Sequence, residues 1–120
     1  MAGKFVLIVE DNREMADSFR EILEMHDHNT ECVYDGRDAE NRLKEIVPDF
    51  VILDINLPYV DGDILLDQIR ADPRLGNTRV VIASANSVRA NALKDIADVI
   101  LIKPIGYDKI DELLEWTNSW

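Results

Sequence analysis

Apolar residues follow two rhythms along this chain. Phe5-Val6-Leu7-Ile8-Val9, Phe50-Val51-Ile52-Leu53 and Val99-Ile100-Leu101-Ile102 are unbroken runs rich in β-branched and aromatic side chains. Such runs predict strands covered on both faces, as in a parallel sheet. Thr30–Val33 and Val80–Ala83 read as two further strands. Between the strands the period becomes that of a helix. Met15, Phe19, Ile22 and Leu23 form one stripe, with Arg20 and Glu24 a turn apart on its outer face, placed to pair. Ala39, Leu43, Ile46 and Val47 form a second stripe, which Pro48 ends. Ile64, Leu65 and Ile69 face inward from a third helix that Asp72-Pro73 stops. Ser87 to about Ile96 predicts a weakly patterned fourth helix, and Ile110, Leu113, Leu114 and Thr117 line a closing one. Asp35-Gly36, Pro58 and Asp61-Gly62 mark turns.

The pattern amounts to five βα units with short connections, no repeat and no linker, hence a single domain over residues 1–120. Right-handed crossovers place helices on both faces of the sheet. The expected architecture is α/β, a doubly wound five-stranded parallel sheet in the order 2-1-3-4-5. Ligands of such sheets sit beyond the carboxyl ends of the strands, at the switch between strands one and three. Here those ends carry Glu10-Asp11 and Asp54, and two neighbouring strands end in Ser84 and Lys103.

Charge narrows the field. A net charge of −11 argues against partners that reward positive charge, so nucleic acid and anionic membrane surfaces are excluded as targets. With 47% hydrophobic and 31% charged residues the composition is that of an ordinary globular domain. The lone cysteine, Cys32, cannot form an internal disulfide, and its place in a strand predicts packing rather than reactivity. No secretory signal is expected, since the first apolar run breaks at Glu10, and no run approaches a membrane span. The expectation is a cytoplasmic protein.

If Asp11 and Asp54 face each other about 5 Å apart, their repulsion is roughly 3 kcal/mol at an effective dielectric near 20. Such a cluster persists by raising a pKa, by pairing with a cation or by holding a divalent metal. Carboxylates, a carbonyl and waters suit Mg²⁺ beside a phosphate, and a fixed lysine with a nearby hydroxyl grips phosphoryl oxygens. A carboxylate nucleophile in that company is equipped to accept a phosphoryl group.

Glu10-Asp11, Asp54-Ile55-Asn56-Leu57-Pro58, Asp61-Gly62, Ser84-Ala85 and Lys103-Pro104, in this order, closely resemble the receiver domain of bacterial two-component response regulators, a CheY-like fold, over about residues 4 to 116. The resemblance implies that Asp54 takes a phosphoryl group from a histidine kinase, a phosphotransfer protein or a small donor. It implies Mg²⁺ held by Asp11, Asp54 and the main-chain carbonyl of Asn56, with Glu10 acting through water. Lys103 then pairs with Asp54 and its phosphoryl group. Ser84, with Ala85 following it, moves toward that group, and the bond before Pro104 is cis. The output is a contact with a downstream protein, through a switch rather than an enzyme, and self-association into a dimer is compatible with it. Two departures stand out. Ile100 occupies the position where the family usually has an aromatic ring. Asp95-Ile96-Ala97-Asp98 replaces the customary Gly-Ala before the last strand, in an interval that implies a shortened fourth helix.

Two rivals remain. One is a binding module that keeps the fold but no longer switches. The other is an Asp-phosphate hydrolase of the haloacid dehalogenase type, against which stands Asn56 where a second aspartate is usual. Three further features read as structural. His26 and His28 are expected as solvated turn residues rather than metal ligands. Asp54 or Glu10-Asp11 taken alone would be capping groups. Trp116 and Trp120, one turn apart, predict partial packing at a frayed end or, alternatively, a partner surface.

Overall fold

Five parallel strands lie in the order β2-β1-β3-β4-β5, as the alternating pattern predicts. They are β1 (Phe5–Val9), β2 (Asn29–Val33), β3 (Phe50–Leu53), β4 (Arg79–Ser84) and β5 (Val99–Ile102). The helices are α1 (Arg13–Met25), α2 (Gly36–Leu43), α3 (Gly62–Ala71), α4 (Ser87–Ala92) and α5 (Tyr107–Ser119), with a 3-10 turn at Pro73–Leu75. This computed structural model describes residues 3–120.

Alternation along the strands builds two cores. Val6 and Ile8 of β1, with Phe50 and Ile52 of β3, pack against Ala16, Phe19 and Leu23 of α1 and Leu113 of α5. Leu7 and Val9, with Val51 and Leu53, pack against Ala39, Leu65, Ile69 and Ala90 of α2, α3 and α4. Both faces of the central strands are therefore covered, which is why their sequences are apolar at every position. Cys32 packs partly buried against the first of these cores.

Several sequence expectations need correction. Helix α2 ends at Leu43, and Val47 is 55% exposed. The Arg42 carbonyl takes the N–H groups of both Glu45 and Ile46, and a residue before proline is disfavoured in the helical region, so the chain leaves the helix early. In α3 the inward set is Leu65, Leu66 and Ile69, whereas Ile64 is 49% exposed. At roughly 100° per residue Leu65, Leu66 and Ile69 share one face of the helix, and Ile64 falls on the far side of it. Arg20 pairs with Asp17 at 2.9 Å, while Glu24 accepts from the Thr30 hydroxyl. Helix α4 stops at Ala92 instead of Ile96, and tight turns onto Leu93 carry the chain to Ala97. Asp98 then secures β5. Its carboxylate accepts from the Val80 N–H at 2.7 Å and from Arg70 at 2.8 Å, and its N–H donates to the Val80 carbonyl at 2.9 Å. The segment that departs from the usual loop is thus a polar clamp.

His28 is buried, contrary to the solvated turn expected of it, while His26 is exposed. The Lys4 N–H donates to Nδ1 of His28 at 3.0 Å, so the proton sits on Nε2, 3.5 Å from the Thr117 hydroxyl of α5. The ring meets Phe50 edge-on at 6.1 Å, and Phe50 meets Trp120 at 5.2 Å. Trp120 thus packs at the core edge, and Trp116 stays partly exposed. Burial holds the His28 pKa below its ordinary 6.5, aided by His26 and Lys4 and opposed by Asp27 and Asp49. The folded protein therefore refuses a proton that the unfolded chain accepts as the pH falls through 6.5, and this group's contribution to stability is lost on that descent. Urea midpoints measured across that range should fall with acid, and the fall should be smaller in His28→Gln.

Candidate functional site

The site forms where backbone ladders run one residue past the strands. The Glu10 N–H donates to the Val33 carbonyl at 3.1 Å and the Asp54 N–H to the Val9 carbonyl at 3.1 Å, which fixes both acids at the carboxyl edge of the sheet. The Lys103 N–H donates to the Ser84 carbonyl at 2.9 Å and does the same for β5. Beyond Glu10, Asn12 caps α1 by accepting from the Met15 N–H at 3.0 Å, so the chain turns abruptly and leaves Asp11 exposed at the rim. Glu10, Asp11 and Asp54 each present a carboxylate oxygen within 4.8 Å of the others. The expected acidic cluster therefore exists, with Glu10 and Asp54 buried.

Lys103 reaches into this cluster. Its Nζ lies 3.1 Å from Oδ2 of Asp54 and makes a close ion pair with Oε1 of Glu10. Burial would lower the lysine's pKa, but Glu10 and Asp54 outweigh it, and the net shift is upward. Burial pushes the Glu10 carboxyl up to about 7 despite the lysine and the Asn12 N–H on its Oε2. One ammonium is thus shared by carboxylates whose combined charge exceeds it. Oxygen donors grouped in this way suit a small hard cation such as Mg²⁺. Among the described residues no buried side-chain polar atom lacks a hydrogen-bond partner.

The other expected residues fall at the same edge. The Asn56 N–H lies 3.4 Å from Oδ1 of Asp54, which brings the start of the next loop against the carboxylate. Ser84 is fully buried, and its hydroxyl accepts from the Asn86 N–H at 3.1 Å. Ala85 is exposed beside it, and the Lys103-Pro104 bond is cis. Ile100 does not join the acidic cluster. It is partly buried against the core beneath α2, α3 and α4.

Two contributors escaped the sequence reading. Arg89 on α4 donates to Oδ1 of Asn56 at 3.0 Å and lies 3.3 Å from Asp63, so it ties α4 to the loop after β3. The only hint in the sequence was its place three residues after the capping Asn86. Gly62 appeared as a turn mark and in a resembling motif, with no role of its own, yet it is the first residue of α3 and presses on the Asp54 backbone. A Cβ there would sit 2.0 Å from the Asp54 carbonyl oxygen. Gly36 has the same character, with a Cβ 2.0 Å from the Val60 carbonyl. No glycine among the described residues has positive φ, so close approach and not backbone freedom requires these two.

Comparison with known proteins agrees with this architecture. The family described as response regulator receiver domain matches residues 6–115. The chemotaxis protein CheY of Thermotoga maritima is 30% identical over 117 residues, covering 93% of this chain and 95% of that protein. A receiver domain from Methylobacillus flagellatus superposes with a TM-score of 0.83 at 31% identity, over 97% of this chain and 99% of that one. The protein TrrA of Thermotoga maritima, solved in complex with Mg²⁺ and BeF, superposes with a TM-score of 0.83 at 23% identity, over 95% and 98% of the two chains. The chain spans 19% to 49% of the length of the transcriptional regulators that it matches at 32% identity.

Proposed function

Because the chain belongs to the response regulator receiver domain family of two-component signalling, we propose that it switches by accepting a phosphoryl group on Asp54. The observation that carries this reading is the Lys103 ammonium shared between Glu10 and Asp54 inside the three-carboxylate cluster. Asp54 ends β3, the central strand, between Glu10 at the end of β1 and Ser84 at the end of β4, with the ammonium and the Asn56 N–H within reach. An oxygen of Asp54 attacks the phosphorus of the donor, the bond from phosphorus to the donor breaks, and the electron pair leaves with the donor's nitrogen or oxygen.

Asp11, Asp54 and the main-chain carbonyl of Asn56 would hold Mg²⁺, with Glu10 acting through water. The ion supplies charge neutralisation for the entering phosphoryl oxygens. Lys103 stays on Asp54 before transfer and gains a phosphoryl oxygen afterwards, a point charge well suited to that exchange. Ser84 stands at the adjoining strand end and donates its hydroxyl to another phosphoryl oxygen once it turns from Asn86. Its movement draws the loop before α4 and so changes the outer surface. The donor is a histidine kinase or a phosphotransfer protein, and the output is a contact with a downstream protein.

Intact mass after incubation with acetyl phosphate tests the reading. A single phosphoryl increment is expected with Mg²⁺. It should vanish with chelator and in Asp54→Asn. An increment that survives Asp54→Asn would move the acceptor elsewhere, and no increment together with no Mg²⁺ binding would leave a non-switching binding module.

A further inference from the structure

Arg89 completes a chain of hydrogen bonds along the rim of the site. Its Nη1 donates to Oδ1 of Asn56 at 3.0 Å, and its Nη2 lies 3.3 Å from Asp63 and 3.6 Å from Asp61. One guanidinium therefore grips both ends of the loop that joins β3 to α3. Its own N–H donates to Oδ1 of Asn86 at 3.1 Å, and the Asn86 N–H donates to the Ser84 hydroxyl at 3.1 Å. On the other side the Asn56 N–H lies 3.4 Å from Oδ1 of Asp54. The acceptor carboxylate and the Ser84 hydroxyl are thus linked through Asn56, Arg89 and Asn86, with Arg89 joining the two loops.

Resting on the phosphoacceptor reading above, we propose that Arg89 is a positioning residue that prolongs the life of the phosphoryl group on Asp54 by keeping the Asn56 carboxamide oxygen occupied. Loss of the group is hydrolysis of an acyl phosphate. A water oxygen bonds to phosphorus as the bond from phosphorus to the Asp54 oxygen breaks. The electron pair returns to the carboxylate, and both water protons leave on inorganic phosphate. An entering water needs a hydrogen-bond acceptor to orient it. The Asn56 carboxamide oxygen is such an acceptor, in a residue whose N–H already rests on the carboxylate. While Arg89 donates to that oxygen, a cationic donor takes one of its two lone pairs and weakens the other as an acceptor for water. The paired Asp61 and Asp63 keep the guanidinium over the loop.

The test follows loss of label from protein charged with acetyl phosphate and Mg²⁺ and then freed of donor, read as intact mass against time. The set comprises wild type, Arg89→Ala, Arg89→Lys, Asn56→Ala and the double variant Arg89→Ala/Asn56→Ala. Arg89→Ala should lose the group roughly five-fold faster, about 1 kcal/mol in the barrier at 1.36 kcal/mol per factor of ten. Arg89→Lys should fall between, because an ammonium lacks the planar fork that spans Asn56 and Asp63 together. In the Asn56→Ala background, removal of Arg89 should change nothing further, which a merely structural role would not produce. An unchanged lifetime in Arg89→Ala overturns the proposal, as do equal effects of Arg89→Ala in both backgrounds. If Arg89→Ala fails to fold by urea denaturation, Arg89→Lys carries the same comparison. A wild type that takes no label removes both readings, whereas a labelled wild type with an indifferent Arg89 removes this one alone.

Discussion

Replacing Lys103 by alanine should lower the stability of the metal-free protein by about 3 kcal/mol near pH 8, the usual loss when one partner of a buried ion pair is removed. The ammonium is the positive group found within hydrogen-bonding distance of both Glu10 and Asp54. Without it, buried carboxylates face each other with no compensation. The loss should depend on pH with a sign that can be worked out. In the native protein the Glu10 carboxyl is raised from 4.5 to about 7, chiefly by burial. The folded state keeps a proton that the unfolded state has already released, so this group's contribution falls as the pH rises through that interval. Lys103 is among the groups that hold the value down, so its removal extends Glu10 protonation to higher pH. The loss in Lys103→Ala should therefore be smaller near pH 6 than near pH 8, by up to about 1.4 kcal/mol, because wild type ionises Glu10 over only about the last unit of that interval. Urea denaturation at the two pH values measures it, and millimolar Mg²⁺ should recover part of the loss near pH 8. A variant as stable as wild type at both pH values would show that the ammonium is not the counter-charge of the cluster.

Gly62→Ala should be as severe, for a steric reason. The added methyl would lie 2.0 Å from the Asp54 carbonyl oxygen and 2.8 Å from Cα of Ile55, both backbone atoms that cannot swing aside. The Gly62 N–H also donates to the Ile55 carbonyl at 2.8 Å, so α3 cannot back away without breaking that bond. A loss of roughly 3 kcal/mol or more is expected, the range reached when a core is overpacked. The displaced atoms belong to Asp54, the proposed acceptor, so phosphoryl incorporation should fall even where the variant folds. Gly76→Ala is the control. Its methyl would come no closer than 3.3 Å, to the Pro73 carbonyl, and its backbone is already helical. That variant should stay within about 1 kcal/mol of wild type, the ordinary span for alanine at a compatible glycine. Equal stabilities of the two variants would refute the close-approach argument.

The strands and their order were legible because every residue of β1, β3 and β5 is apolar and each run ends at a charged side chain of the candidate site. That single pattern signals both sheet and site edge. Helix ends were less legible, since α2 and α4 stop where turns and proline geometry win over an apolar stripe that continues. Ile64 was misplaced because Ile64, Leu65 and Leu66 are consecutive and the buried face takes only two of them, a choice set by packing across the sheet. His28 reads as polar and local, yet its burial comes from Phe50 and Thr117, far away in sequence. Arg89 escaped for the same reason, as its partners Asn56 and Asp63 meet it only after the fold closes.

The Asp98 clamp has a consequence for how this architecture tolerates change. Its carboxylate holds Arg70, Arg79 and the Val80 N–H, and its own N–H returns to Val80, so β5 is registered at its entry point. Leu93 and Ala97 pack on the core and the Ile96 carbonyl accepts from Arg70, which leaves Lys94 and Asp95 as the exposed positions of this turn without such a duty. Insertions or deletions there should alter the exterior without shifting the strand that delivers Lys103. Natural drift and engineered grafting can both act at those two positions, because the chemistry downstream is indexed from Asp98 rather than from the helix before it.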